Sequence, residues 1–189
     1  MLLEAARSVI ADRGLHATTL RDIAAAGDVA VGTVTYHFAG IAEVLAGVLD
    51  SEMVDYSGPI MRAAEQAPSG REALQCIVNG LVADGRRARE HWKLWLDFWA
   101  LSAHDDRYAG WQTRVYQELH ALVAACRSRG IGDGSISVPT SGDPSRPTDP
   151  ADWAIRFVAQ LDGLVIQCYL PGSIISCAQA RSVLLATCS

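Results

Sequence analysis

The sequence predicts an all-α protein of about nine helices, arranged as an N-terminal three-helix head and a C-terminal helical bundle. Apolar residues recur at i, i+3 and i+4 along most of the 189 residues, which is the spacing of amphipathic helices. Capping residues stand where these segments begin, and Gly or Pro stands where they end. We therefore predict two domains, residues 1–50 and residues 51–189.

Composition indicates a folded globular chain, because 50% of the residues are hydrophobic and 20% are charged. The five cysteines have no metal-ligand spacing, and their odd number argues against a disulfide framework. We expect reduced thiols in a cytoplasmic protein. Met1 opens directly into an amphipathic helix, so no signal peptide is expected. Pro171-Gly172 interrupts the longest uncharged run, which makes a membrane span improbable.

The first helix is predicted over residues 2–13, and Gly14 ends it. Thr19 can cap a second short helix, because Asp22 stands three residues later, as in a capping box. Gly27 and Asp28 form the turn that follows, and Gly27 is the residue expected to tolerate a left-handed backbone. Val29 is then expected to be a buried plug.

The third helix, predicted over residues 30–37, has an unusual outward face. Val31, Val34 and Phe38 fall on its inward side at helical spacing. The remaining side chains are short, hydrogen-bonding or aromatic, and none is a long charged residue; they are Gly32, Thr33, Thr35, Tyr36 and His37. Such a face can approach a DNA duplex closely, since glycine admits the backbone and the polar groups donate to phosphates or base edges.

These two helices resemble the helix-turn-helix of the TetR family of bacterial transcriptional regulators. The family pattern "ATT.RDIA" followed by "GTVxYHF" is matched at residues 17–24 and 32–38, and the likeness covers about residues 1–56. It implies DNA contacts by Thr18, Thr19, Arg21, Thr33, Tyr36 and His37, while Ala30, Val31, Gly32 and Thr35 are expected to face the bases. Four positions depart from the family, which usually has Ser at Ala30, Tyr at Thr35, Gly at Asp28 and Lys at Ala42.

The charge of the head is opposite to that of most DNA-binding segments. Residues 1–50 contain three arginines and six carboxylates, a net charge of −3. Because neutralisation of phosphates dominates affinity for DNA, weak binding with a shallow salt dependence is expected. Either a basic arm is missing before Met1, or binding depends on dimerisation and a few uncharged contacts.

Further helices are predicted along the rest of the chain. One begins near Ile41 and kinks or ends at Gly58-Pro59, and another spans about residues 71–89, with Arg86, Arg87 and Arg89 at its end. These arginines are expected to satisfy helix-end carbonyls, with phosphate binding as the alternative. The Trp-rich run 91–106 and residues 105–129 are also helical. Residues 130–150 form a loop, and the last helices span 152–170, capped by Asp152, and 176–187.

The C-terminal part resembles the body of the BetI-like subgroup of the same family. The likeness rests on the "HWxLWLxFWA" run and on Leu161-Asp162-Gly163-Leu164. It implies a ligand-responsive body whose last long helices pair between two copies. The candidate ligand-binding residues are Trp92, Trp95, Phe98, Trp99, Tyr116, Gln167 and Cys168. The candidate dimer interface consists of Leu119, Val123, Phe157, Leu161, Leu164 and Val165.

The tryptophans could equally form an ordinary core helix. No acidic residue stands out as the counter-ion of a cationic ligand, and the effector could be apolar, aromatic or cationic. No catalytic residues, metal ligands or cofactor motifs with suitable spacing are present in the sequence. We therefore predict a homodimeric regulator, expected to be a repressor, that binds operator DNA and is released by a small molecule. The alternative is a helical small-molecule-binding or processing protein whose head no longer binds DNA.

Overall fold

The computed structural model describes residues 2–137 and 149–188. These residues form ten α-helices and no strand. The helices are α1 (Leu2–Arg13), α2 (Leu20–Ala26), α3 (Val31–His37), α4 (Ile41–Glu52), α5 (Gly58–Gln66), α6 (Gly70–Leu81), α7 (Arg86–Ser102), α8 (Ala109–Gly132), α9 (Pro150–Tyr169) and α10 (Cys177–Thr187). A π-helical turn, Met53–Ser57, joins α4 to α5. The all-α prediction is confirmed, and counting Ile41–Gln66 as one interrupted helix gives nine.

The chain folds into two compact units. The first unit contains the residues up to Tyr56 together with Gly85–Tyr108. In it α1 packs against α2, α4 and α7, while α2 packs against α3. The boundary predicted at residue 50 stays a prediction, but α7 belongs with the helices of the head by its internal contacts.

The second unit contains Ser57–Asp84 and the chain from Ala109 onward. Here α6 packs against α5, α8 and α10, and α9 packs against α8 and α10. Most of the loop predicted over residues 130–150 lies outside the described residues; the described part shows that α8 continues to Gly132.

The single helix predicted over residues 71–89 is wrong, because the chain breaks between α6 and α7. Gly85 adopts a left-handed backbone, with φ of 114°. Within the second unit, the Tyr169 hydroxyl donates to the Ala83 carbonyl at 2.6 Å, and Arg181 donates to the Val82 carbonyl at 2.7 Å. In a longer helix the Val82 and Ala83 carbonyls would accept hydrogen bonds from backbone N–H groups. Here they accept from side chains of α9 and α10 instead. As a result, Arg86 stands at the beginning of a helix and not at its end.

One smaller prediction also needs correction. Asp149, and not Asp152, caps α9, and its side chain accepts a hydrogen bond from Ala151 N at 3.0 Å. The helix from Ile41 is interrupted by the π-helical turn directly before Gly58-Pro59, and Pro59 lies in the first turn of α5, where a missing N–H has little cost. The final helix, predicted over residues 176–187, is confirmed, with Ser176 and Gln179 forming a capping box.

Among the described helices, none is by itself long and apolar enough to cross a membrane. One pair, Val31–His37 with Ile41–Gln66, meets the length and composition limits when taken together, but it is bent by 73°.

Gly70 gives a test of the packing in the second unit. A Cβ at Gly70 would overlap the backbone of Gly130 and the carbonyl of Cys126, both on α8. Gly70→Ala should therefore lower the free energy of unfolding by about 3 kcal/mol. Gly132→Ala is the matched control, since a Cβ there meets nothing within 4 Å, and it should stay within about 0.5 kcal/mol of the wild type. Equal urea midpoints for the two variants would contradict this close packing.

Candidate DNA-binding surface and ligand-binding residues

The helix α3 is anchored by one buried residue and exposes the rest. Val34 is fully buried, and Tyr36 is 85% exposed. Gly32, Thr33 and His37 are also exposed. No carboxylate lies within α3, so its outer face carries hydroxyl, imidazole and backbone groups.

The preceding helix, α2, begins with the capping box expected from its sequence. Asp22 N donates to the Thr19 hydroxyl oxygen at 3.2 Å, and Thr19 N donates to the Asp22 carboxylate at 2.9 Å. The hydrogen bond from the Thr19 hydroxyl is the main reason that the pKa of Asp22 is lowered. Arg13 lies 3.2 Å from the same carboxylate. Asp22 therefore holds the start of α2 in place and is itself partly neutralised.

The turn between α2 and α3 differs from the prediction. Asp28, with φ of 51°, takes the left-handed conformation, while Gly27 is right-handed, with φ of −88°. The expectation that Val29 is a buried plug and Val31 points inward is wrong, because these side chains are 36% and 39% exposed. Because α3 begins only at Val31, Val29 lies in the preceding turn and Val31 is the first helical residue, and both side chains remain partly open to solvent.

Most residues predicted to contact DNA are exposed, and one is not. Thr18 is only 6% exposed, and its hydroxyl donates to the Gly14 carbonyl at 2.8 Å, so it cannot reach a phosphate. Its position at the end of a short 3₁₀ turn directs the side chain back into the head. The exposed residues of the predicted set are Thr19, Arg21, Ala30, Val31, Gly32, Thr33, Thr35, Tyr36 and His37.

Four basic side chains lie on α7, in addition to the three arginines of the first four helices. A cleft of about 390 Å³ in the first unit lies between α1 and α7. Its lining includes four basic residues, Arg13, Arg86, Arg89 and Lys93, and two acidic residues, Asp12 and Glu90. Glu90 is bonded to Arg7 at 2.8 Å and to Arg86 at 2.5 Å. The positive charge of this cleft therefore offsets part of the acidity of the head.

A buried polar cluster joins α4 to α7 within the first unit. Glu52 and His91 are each 1% exposed, and His91 Nδ1 lies 2.8 Å from a Glu52 oxygen. Arg87 donates to Glu52, with its nitrogens at 2.7 and 2.9 Å from the two oxygens. The Tyr56 ring stacks on the His91 ring with centroids 4.1 Å apart. We refer to Glu52, Tyr56, Arg87 and His91 as the Glu52 cluster.

The environment of this cluster fixes its protonation. Burial raises the pKa of Glu52, but the hydrogen bonds from His91 and Arg87 outweigh it, so the pKa lies below its ordinary value. Burial lowers the pKa of His91 more than the Glu52 carboxylate raises it. Both shifts favour an ionised Glu52 and a neutral His91 at neutral pH.

The predicted ligand-binding residues are divided between the two units. In the first unit, Trp92, Trp95 and Phe98 are buried, and Trp99 is half-buried. The Trp99 ring centroid lies 6.3 Å from that of Trp92 and 6.1 Å from that of Trp95. The Trp99 Nε1 atom is enclosed and has no acceptor within the described part of the chain. These rings form one aromatic cluster on α7.

The other candidates lie in the second unit. The Tyr116 hydroxyl donates to the Asp162 carboxylate at 2.9 Å. Gln167 is exposed and donates to the Gly163 carbonyl at 3.1 Å, and Cys168 is buried. Burial raises the pKa of Asp162 to about 6, against the opposing effect of the Tyr116 hydrogen bond. Whether the seven residues form one ligand site stays a prediction.

Five of the six residues predicted for the dimer interface are buried within their own chain, and the interface itself stays a prediction. Val123, Phe157, Leu161, Leu164 and Val165 are at most 9% exposed, and Leu119 is half-buried. The apolar pattern of α9 continues nearly all round the helix, so periodicity could not separate its inner and outer faces. The outer face of α9 contains Ile155, Ala159, Gly163, Ile166 and Leu170.

Local sequence patterns do not reveal two features of these sites. The Glu52 cluster has a partial signal in Arg87 and His91 at i, i+4, but its acid is 39 positions away from His91. Asp162 lies in the Leu161-Asp162-Gly163-Leu164 motif, and its half-buried state depends on packing. Its signal is a carboxylate between apolar residues in the middle of α9. Across residues 2–137 and 149–188, no group of three or more His, Cys, Asp or Glu side chains could hold a metal ion.

An exposed, polar α3 held against α2 by a tight turn defines a helix-turn-helix DNA-binding protein. Comparison of the sequence with known families gives two matches. Residues 2–48 match "Bacterial regulatory proteins, tetR family", and residues 70–189 match "BetI-type transcriptional repressor, C-terminal". The chain belongs to the TetR family of bacterial transcriptional regulators and has a BetI-type C-terminal region.

Individual relatives agree with this assignment. The regulator BetI of Pectobacterium atrosepticum is 28% identical over 189 residues, which cover 96% of this chain and 87% of that protein. The repressor KstR2 of Mycobacterium tuberculosis is 28% identical over 193 residues, covering 98% and 88%. A putative regulator from Saccharomonospora viridis, solved in complex with choline, has a TM-score of 0.84 and 24% identity, covering 97% of this chain and 91% of that one. These relatives are named as regulators, not enzymes.

His91 provides a test of the Glu52 cluster through pH. Between the lowered pKa of His91 and its ordinary value of 6.5, only the unfolded chain binds the proton. Stability therefore falls as pH drops below about 6.5, with a slope of at most about 1.4 kcal/mol per pH unit. Urea unfolding at about pH 7.5 and about pH 5.5 should show this loss in the wild type and a smaller loss in His91→Gln.

The raised pKa of Asp162 acts in the opposite direction, because the folded chain then binds the extra proton between 3.8 and about 6. This contribution is common to both proteins, so it cancels in the difference between them. An identical pH dependence in the two proteins would contradict a neutral, buried His91.

Proposed function

We propose that this regulator binds operator DNA as a homodimer, represses transcription, and is released by a small cationic effector. The observation that carries the DNA-binding part is the outward face of α3. Its exposed side chains are short or aromatic, and Tyr36 projects furthest into solvent, at 85% exposed. A face of this kind fits a major groove and donates to phosphates and base edges.

The DNA-binding proposal is tested with the DNA upstream of the protein's own gene, by fluorescence anisotropy at several salt concentrations. Tyr36→Ala should weaken binding roughly tenfold or more, since one contact to the duplex is worth about 1–3 kcal/mol. Tyr36→Phe separates the hydroxyl from the ring. His104→Ala is the control, because His104 is exposed in the same unit but lies outside the helix-turn-helix.

The salt dependence should be shallow, because neutral donors supply most of the contacts. The net charge of −3 over residues 1–50 favours one competing function, a helical ligand-binding protein that does not bind DNA. No binding at low salt would favour that function over ours.

A homodimer is supported by the outer face of α9. Ile155 is 55% exposed and Leu170 is 45% exposed, and Ala159 and Gly163 between them are small. An apolar strip of this kind is typical of a surface that a second copy covers. We place the dimer contact on this strip and not on the buried residues of the same helix.

The dimer contact is tested with Ile155→Glu, which puts a charge at the N-terminal end of the proposed contact. Sedimentation should find this variant mainly as a monomer, because burying an unpaired carboxylate is costly. Val54→Glu is the matched control, since Val54 is also apolar and 66% exposed but lies in the first unit. Dimers of equal stability in both variants would place the contact elsewhere.

A cationic effector is supported by the aromatic cluster of the first unit. The tryptophan rings of α7 can attract a quaternary ammonium group. The choline in the Saccharomonospora regulator is consistent with this chemistry. Choline should therefore release the DNA in the anisotropy assay, and its uncharged carbon analogue should not.

The Glu52 cluster supports a route from effector to DNA. It fixes the end of α4 to α7, the helix that carries the aromatic cluster. If ligand binding shifts α7, α4 would move with it because the Glu52 cluster joins the two helices. This movement would favour one of two states of the head.

A further inference from the structure

Arg127 is a buried charge in the second unit. It lies on α8 and is 5% exposed. Its Nε and Nη1 atoms are enclosed and have no hydrogen-bond acceptor within residues 2–137 and 149–188. The guanidinium carbon lies 4.4 Å from the ring centroid of Trp153, and that ring stacks on Phe157 at 4.9 Å. One face of the guanidinium is thus covered by an aromatic ring.

The groups around Arg127 do not neutralise it. Burial lowers the pKa of Arg127, and the group with an opposing effect is the thiol of Cys188. Burial also raises the pKa of that thiol to about 11, so the thiol is neutral at physiological pH. Arg71 acts on the same thiol, which puts a second positive charge in this region.

A guanidinium with unused buried donors is strongly unfavourable, and proteins retain one where a partner is supplied. The cation–π contact with Trp153 covers the ring face but makes no hydrogen bond. The in-plane N–H groups of Arg match the oxygens of a phosphate, sulfate or carboxylate.

We propose that Arg127 and Trp153 form a binding site for a small oxyanion, separate from the DNA-binding surface and from the cationic effector. The anion accepts hydrogen bonds from the Arg127 guanidinium, while Trp153 holds the guanidinium plane from one face. Bound anion supplies the missing counter-charge and stabilises the second unit.

The experiment measures thermal unfolding of the full chain in inorganic phosphate and in chloride at equal ionic strength. Phosphate at about 100 times its Kd should raise the Tm of the wild type by roughly 5 °C. Arg127→Met should lose this shift. Arg114→Met, which removes an exposed charge from the same helix, should keep it. Titration calorimetry should find one phosphate per chain in the wild type.

If Arg127→Met does not fold, Arg127→Lys keeps the charge without the planar donors and should bind phosphate at least tenfold more weakly than the wild type. Equal phosphate shifts in the wild type, the Arg127 variant and Arg114→Met would reflect a general salt effect and overturn the site. No shift in the wild type would overturn it as well.

Discussion

A helix of seven residues is too short to be stable alone, and this constraint governs the DNA-binding head. Only Val34 anchors α3 fully in the interior, so the helix depends on the turn at Asp28 and on its contact with α2. The other side chains of α3 are exposed and are not needed for its core packing. The same residues can therefore be selected for contact with DNA.

The buried charges of the first unit serve a different purpose from its apolar core. A buried carboxylate rarely adds stability over well-packed apolar residues, but it specifies one arrangement of its partners. Glu52 accepts from two side chains spaced at i, i+4 on α7, which fixes both the angle and the register of α4. Such a contact has two definite states, made or broken, and is suited to a switch.

Whether a structural feature can be predicted from the sequence depends on how far apart its interacting residues lie along the chain. The capping box of α2 joins Thr19 to Asp22, and local rules found it. The break after Leu81 is bonded by Tyr169 and Arg181, far along the chain, and local rules missed it. The buried and exposed faces of α9 could not be told apart for another reason, because the helix is apolar on nearly every side and only packing distinguishes them. Prediction thus succeeded for the capping box of α2 and for the final helix, and was poor where tertiary partners decide.

Each of the two units is built from segments that lie far apart in the sequence, so each is completed only after its last segment has been synthesised on the ribosome. When the helix-turn-helix emerges from the ribosome, the first unit is still incomplete. Glu52 and α1 can pack against α7 only after that helix has been synthesised, and its last residue is Ser102. The Val82 carbonyl, directly after α6, receives its hydrogen bond only after Arg181 has been synthesised. Nascent chains should therefore expose unfinished surfaces during most of translation, and a fragment ending near residue 56 should not behave as an autonomous head.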